Sequence, residues 1–246
     1  MSNTIILIPS RLNATRLPNK PLLKINNKSI INHVYEKALS TKIGDAYVVT
    51  GDQEIYNEVI KNGGKCILTQ KNHKTGTDRI FEAFQRLNDT KVQYIINLQG
   101  DEPMIDVEDV KNLHNKAIDN KSEIATLACE IKNKIIYSKN DIVKVITEKK
   151  LTKDDTRKAK IFLREVSKNN IENTYHHVGI YIFEVSILKK FVNLEQTENE
   201  TSQKLEQLRA MDNNISIDVN LANTSPIGVD TKEDYLEIKK LMEYKI

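Results

Sequence analysis

The sequence predicts an α/β fold built on a mostly parallel sheet with crossover helices and an inserted β layer in its second half. Three observations predict it. Short apolar runs alternate with helix-period segments over the first half. After about residue 130 the pattern changes to strand-like runs joined by a Lys-rich stretch. Helical periodicity then returns and closes the chain. At 246 residues the chain has room for one large domain carrying an insertion at about 131–183.

Taken in order, TIILIP, DAYVVT, KCILT, QYIINLQ and EIATLACE read as strands. Between them lie amphipathic helices: Ile30, Ile31, Val34 and Ala38 share one face, Ile80, Ala83, Phe84 and Leu87 a second, and Val107, Val110, Leu113 and Ala117 a third. Gly63 and Gly64 stop the helix EIYNEVIKN. In the inserted layer, IVKVIT and HVGIYIF read as strands, with TEKKLTKDDTRKAK as an exposed turn region between them. VSILKKFVNL, SQKLEQLRAM and TKEDYLEIKKLMEYKI read as helices.

Composition narrows the function classes. Hydrophobic content of 39% and charged content of 29% are those of a globular protein rather than a disordered one. The net charge is +3, and cations are interleaved with carboxylates along the chain. That pattern disfavours a nucleic-acid footprint, which needs an unbroken basic face. Cys66 and Cys129 sit in apolar strand-like runs without metal-ligand spacing, as expected of two buried thiols in a reducing compartment. No run is long enough to span a bilayer and the N-terminal apolar run is too short for a signal segment, so a cytoplasmic location is expected.

In an open parallel sheet, ligands bind beyond the carboxyl ends of the strands. Four such places carry unusual residues. The loop IPSRLNATRLPNKPL puts Arg11, Arg16 and Lys20 within ten residues, two planar forks and a point charge that suit a polyphosphate. HKTGTDRIFEAF offers Thr77 as a helix N-cap, with Gly76 and the first-turn N–H groups facing the crevice. INLQGDEP ends a strand in Gly100-Asp101. In PIGVDTKED, Asp230 precedes a T-x-x-D capping pattern formed by Thr231 and Asp234. Two carboxylates at separate strand ends are what a hard divalent cation needs when it also bridges phosphate oxygens. Taken singly, each of these residues also reads as an ordinary loop, cap or turn residue.

Their joint occurrence carries more. The strings IPSRLNATRLPNKPL, HKTGTDR, NLQGDEPMI, HHVGIY, KLEQLRAM and VDTKED, running from about residue 4 to about residue 238, resemble the successive motifs of the 3-deoxy-manno-octulosonate (Kdo) cytidylyltransferase family. The resemblance implies a Rossmann-like, nucleotide-diphospho-sugar transferase-like fold, usually a homodimer, whose insertion contributes to the sugar site and the dimer contact. It implies Mg2+-dependent transfer of CMP from CTP to the anomeric 2-hydroxyl of Kdo for lipopolysaccharide biosynthesis. By similarity, Arg11, Arg16 and Lys20 hold the CTP phosphates, Thr75, Gly76, Thr77, Arg79 and Gln99 seat the nucleotide, and Asp101 and Asp230 bind Mg2+. Gln99, Arg164, His177, Tyr181, Glu206 and Gln207 match the sugar site, with Arg164 the expected partner of the Kdo carboxylate. His73 opens the HKTGTDR motif near the nucleotide, and His33 is given no role. The chain departs from the family pattern at Asn19, where Gly is usual, at Gly51, where Thr is common, and through 162–175. That last departure keeps open an 8-amino Kdo analogue or a sialic acid as acceptor.

Overall fold

A computed structural model describes residues 3–13, 16–166, 171–225 and 227–244. The chain forms two compact units, Met1–Val110 with Pro226–Ile246, and Lys111–Ser225. The second unit is longer than the insertion expected at about 131–183.

The first unit opens with β1 (Thr4–Ser10), every residue of which is buried. The two-residue strands β2 (Lys24–Ile25) and β3 (Lys28–Ser29) form a small antiparallel ribbon. The left-handed residues Asn26 and Asn27 turn that ribbon. There follow α1 (Ile30–Ser40), β4 (Ala46–Thr50), α2 (Gln53–Lys61), β5 (Cys66–Leu68), α3 (Gly76–Leu87) and β6 (Tyr94–Asn97). Parallel ladders join β4 to β5, β1 to β4 and β1 to β6, giving the order β5-β4-β1-β6. Ile6, Leu7 and Ile8 on central β1 are fully buried, each worth about 1.5–3 kcal/mol of burial. The apolar faces predicted for α1 and α3 lead inward, with Ile30, Ile31, Val34, Ala38, Ile80 and Ala83 all at 0% exposure.

The unit boundary falls within α4 (Val107–Asp119). Beyond it come β7 (Ile124–Cys129), β8 (Lys144–Thr147), β9 (Thr156–Leu163), β10 (Thr174–Glu184), α5 (Val185–Val192), α6 (Glu198–Gln203), α7 (Gln207–Asp212) and β11 (Ile217–Leu221). The ladders run β10-β7-β11-β9-β8, and β8 pairs again with the start of β10, so the strands close on themselves. Two of these strands correct the sequence reading. β9 begins inside the stretch read as an exposed turn and runs past its end, and it escaped the reading because only Phe162 of its eight residues is buried and its Lys and Arg hide the strand pattern. β11 buries Asp218, which accepts from Ser122 and Lys158, and Asn220, whose Oδ1 accepts from Thr156, and these polar residues break the apolar alternation. The helix expected over SQKLEQLRAM divides into α6 and α7, since Lys204 adopts φ 54° and a left-handed residue ends a helix.

The chain then returns to the first unit and ends in α8 (Lys232–Tyr244). Val229 and Ile238 of this returning segment pack with Ile25 and Ile30 in one buried cluster.

Candidate active site

The loop after β1 descends to a short 3-10 turn at Lys20–Leu22. Asn19 caps it at φ 57°, the left-handed conformation that Asn tolerates. This turn sets the Lys20 ammonium between two carboxylates, 2.6 Å from Asp101 Oδ2 and 3.1 Å from Asp230 Oδ1. Arg16 reaches the other oxygen of Asp230 at 3.2 Å. Burial opposes the charge on Lys20, but Asp101 and then Asp230 outweigh it and raise its pKa, so the ammonium stays protonated.

The two carboxylates arrive by different routes. β6 stops at Asn97, earlier than expected, and Gly100 follows where a Cβ would lie 2.9 Å from the Pro9 carbonyl oxygen. Glycine is therefore required for the chain to pass β1 and deliver Asp101. The Val229 N–H donates to the Asp101 carbonyl at 2.9 Å, which brings Asp230 alongside. Thr231 and Asp234 then cap α8 reciprocally, at 3.1 Å and 2.8 Å, as the T-x-x-D pattern predicts.

Glu102 escaped the sequence reading. Burial, then the charges of Asp101 and Asp230, push its carboxyl up to about 8, and its Oε2 is buried without a hydrogen-bond partner. Three acidic groups thus feel one another beside a single ammonium. Among the described residues no group of three His, Cys, Asp or Glu side chains forms a ready-made metal cage. The all-oxygen donors, the mutual repulsion and the orphaned oxygen nonetheless fit a hard divalent cation completed by ligand oxygens.

The opposite wall is built by α3. Its N-cap is Thr75, not Thr77: Thr75 Oγ1 accepts from the Asp78 N–H at 3.1 Å, and Asp78 Oδ2 accepts from the Thr75 N–H at 3.2 Å. Thr77 lies inside the first turn and is buried. The Arg79 guanidinium is buried and committed to the 69–71 segment, donating to Thr69 Oγ1 at 2.6 Å and to the carbonyls of Gln70 and Lys71. Glu82, one turn on, accepts from the Gln70 N–H and contacts the His73 ring. Burial alone would raise the Glu82 pKa, but His73, the Gln70 N–H and Arg86 lower it, so it remains ionised. Arg79 and Glu82 thereby lace the 69–73 segment to α3.

Gly51 accommodates that segment. A Cβ there would sit 2.6 Å from Lys71 Cα and 3.1 Å from an Arg79 nitrogen. We expect Gly51→Ala to displace the segment and to cost about 1–3 kcal/mol of stability, read from urea unfolding. An unchanged midpoint would show that the segment yields freely.

Arg11, Arg16, Lys20, Thr75, Gly76, Arg79, Gln99, Asp101 and Asp230 all line one cleft of about 350 Å³. Of the nucleotide and carboxylate residues predicted from sequence, only Thr77 does not. Arg11 is exposed and has no ion-pair partner among the described residues. Its loop is held from behind, where the Leu12 N–H donates to Asp52 at 2.8 Å. Cations facing hard carboxylates, as in this cleft, suit polyphosphate oxygens.

The other predicted residues belong to the second unit. His177 on β10 begins a row of rings: Phe162 meets it edge-on with centroids 5.1 Å apart, and Tyr181 follows at 5.4 Å, then Phe183 and Phe191. The Arg209 guanidinium closes the row 4.7 Å from the Phe191 centroid and is paired with buried Glu200. That pair anchors α7, at whose start Glu206 and Gln207 stand. Burial, then Glu206, hold the Tyr181 hydroxyl well above its usual pKa. Arg164 donates to the backbone carbonyls of Gln203, Asn140 and Lys204. Buried Lys144, which the sequence reading left inside a strand without a role, donates to the carbonyls of Lys139, Ile142 and Arg164 and so fixes the strand end that carries Arg164. Residues 167–170 of the atypical 162–175 stretch lie outside the described residues.

Burial, then His176, depress the His177 pKa to about 3. Between about pH 6.5 and 3 the unfolded chain therefore binds a proton that the folded chain refuses. The resulting stability is complete above the unfolded pKa and lost as pH falls. His177→Phe should flatten the acid limb of unfolding free energy against pH by up to ~1.4 kcal/mol per pH unit. Parallel acid limbs for variant and wild type would contradict this.

The fold and cleft define a nucleotidyltransferase. The cytidylyltransferase family profile matches residues 5–217. Over 232 residues the chain is 39% identical to 3-deoxy-manno-octulosonate cytidylyltransferase of Rhodopseudomonas palustris (strain BisB5), covering 94% of each chain. The Brucella ovis protein of the same name is 37% identical over 94% of this chain and 92% of its own. A solved CMP:2-keto-3-deoxy-manno-octonic acid synthetase complexed with CTP superposes with a TM-score of 0.89 at 34% identity, covering all of both chains. UDP-glucose pyrophosphorylase complexed with UDP-glucose, at 15% identity and a TM-score of 0.70 over all of both chains, shares the fold. The chain belongs to the cytidylyltransferase family, and within it to the 3-deoxy-manno-octulosonate cytidylyltransferases.

Proposed function

We propose that this enzyme transfers CMP from CTP to the anomeric 2-hydroxyl of Kdo, releasing CMP-Kdo and pyrophosphate, in the cytoplasm and toward lipopolysaccharide assembly. The observation that carries the reading is the Lys20 ammonium held between Asp101 and Asp230, in a cleft that Arg11 and Arg16 also line. The relatives' names supply the substrates. The sugar oxygen bonds to the α-phosphorus as the bond from that phosphorus to the bridging oxygen of the departing pyrophosphate breaks, and the hydroxyl proton is released. Arg11, Arg16 and Lys20 neutralise the charge gathering on the leaving group. Asp101 and Asp230, with Glu102 beside them, would hold Mg2+, which when bound polarises the α-phosphate and acidifies the hydroxyl.

Thr75 and Gly76 present the first-turn N–H groups of α3 to the nucleotide. Arg79 acts by bracing the wall rather than by reaching the base. For the sugar, the second unit offers Arg164, His177, Tyr181, Glu206 and Gln207 toward carboxylate and hydroxyls. Arg164 has five N–H donors and gives three to backbone carbonyls, which leaves one on each terminal nitrogen for a carboxylate. The deciding experiment is pyrophosphate release from CTP, Mg2+ and Kdo, with each omitted in turn and the 8-amino analogue in parallel. Release that needs all three establishes the reaction. Release with the analogue alone moves the acceptor, and release with neither overturns the proposal. A homodimer is proposed as well, and a monomeric mass by light scattering would refute it.

A further inference from the structure

β10 is irregular where it passes β7. Val178 pairs with Leu127 but Tyr181 pairs with Thr126, so β10 carries extra residues and bulges between them. Thr126 is fully buried against this bulge. Its hydroxyl oxygen lies 2.7 Å from the Ile180 carbonyl oxygen, 3.2 Å from that of Val178 and 3.0 Å from His177 Nε2.

A hydroxyl has one proton, and a carbonyl can only accept. The proton of Thr126 is therefore committed to the bulge carbonyls. Its contact with the imidazole then requires the ring to donate, which puts the hydrogen on Nε2 and a lone pair on Nδ1. Among the described residues Nδ1 has no hydrogen-bond partner. The ring is neutral, since burial and His176 keep its pKa near 3, so the lone pair is available at any ordinary pH.

We propose that Thr126 is a positioning residue that fixes His177 as the Nε2–H tautomer, so that Nδ1 accepts a hydrogen bond from a hydroxyl of the acceptor sugar. The sugar part rests on the placement of His177 at the acceptor site proposed above, whereas the tautomer follows from the contacts alone. A bulged strand is suited to the task, because it turns backbone carbonyls toward one side chain that a regular ladder would have paired elsewhere.

The test uses the full chain labelled with 15N-histidine. Two-bond proton–nitrogen correlation spectra of wild type, Thr126→Ser and Thr126→Val would be recorded, with His177→Phe assigning the signals. Wild type and Thr126→Ser should show a protonated Nε2 and an unprotonated Nδ1. In Thr126→Val that pattern should be lost and the KM for Kdo should rise about tenfold, with the KM for CTP unchanged and Thr126→Ser restoring both readouts. A protonated Nδ1 in wild type overturns the inference, as does a Thr126→Val variant that keeps both the wild-type pattern and the wild-type KM for Kdo. If Thr126→Val does not fold, the wild-type and Thr126→Ser spectra decide. A wild type that shows the expected tautomer yet never uses Kdo overturns the sugar part together with the proposed function, a result distinct from a wrong tautomer.

Discussion

Asp101→Asn is expected to slow pyrophosphate release by about a thousandfold or more while moving the thermal midpoint by only a few degrees. The substitution keeps shape and an acceptor oxygen for Lys20 but removes a charge. Lys20 keeps Asp230 as a partner, and the Asp101 side chain is one-third exposed, so solvent already screens the lost attraction. The loss therefore falls on chemistry rather than on folding. Glu102 should become easier to ionise, since one of the two charges opposing it is gone. Circular dichroism melting and a coupled pyrophosphate assay check both halves, and substantial Mg2+-dependent turnover would remove Asp101 from the metal site.

Arg11→Met is expected to lower kcat/KM for CTP by about a hundredfold or more without loss of stability. Arg16 and Lys20 are drawn toward Asp230 and Asp101, whereas Arg11 is exposed and unpaired among the described residues, so its fork is ready for phosphate oxygens. Arg11→Lys should recover only part of the loss, because an ammonium replaces a planar bidentate donor by a point charge. Steady-state kinetics across CTP concentrations decide, and unchanged values would exclude Arg11 from phosphate contact.

Apolar runs made β1, β4, β6 and β7 legible, because these strands are buried along all their length but for Tyr47 on β4 and need no alternation. β9 and β11 were not legible for opposite reasons. One is a strand with a single buried residue whose Lys and Arg mask its pattern; the other buries polar groups whose partners lie far away in sequence. The sequence reading placed the α3 N-cap at Thr77, whereas the capping box is formed by Thr75 and Asp78. For the site, spacing could mark Asp101 and Asp230 singly. It could not show that one ammonium joins them across 81 and 210 positions of chain, and only the family resemblance united them beforehand. Glu82, Glu102 and Thr126 act through burial and contacts that no local pattern announces.

The first unit is discontinuous, and this bears on how the protein emerges during synthesis. Residues up to 110 precede the whole second unit, while Val229, Asp230 and Ile238 come after it. A ribosome that has made the first 225 residues has displayed Lys20 and Asp101 but not the partner that completes them. The buried cluster around Ile25 and Ile30 is at that moment equally unfinished. The same late segment thus closes a core and furnishes the second carboxylate, so a nascent or truncated chain has neither a sealed first unit nor a complete charge constellation with which to engage a nucleotide prematurely.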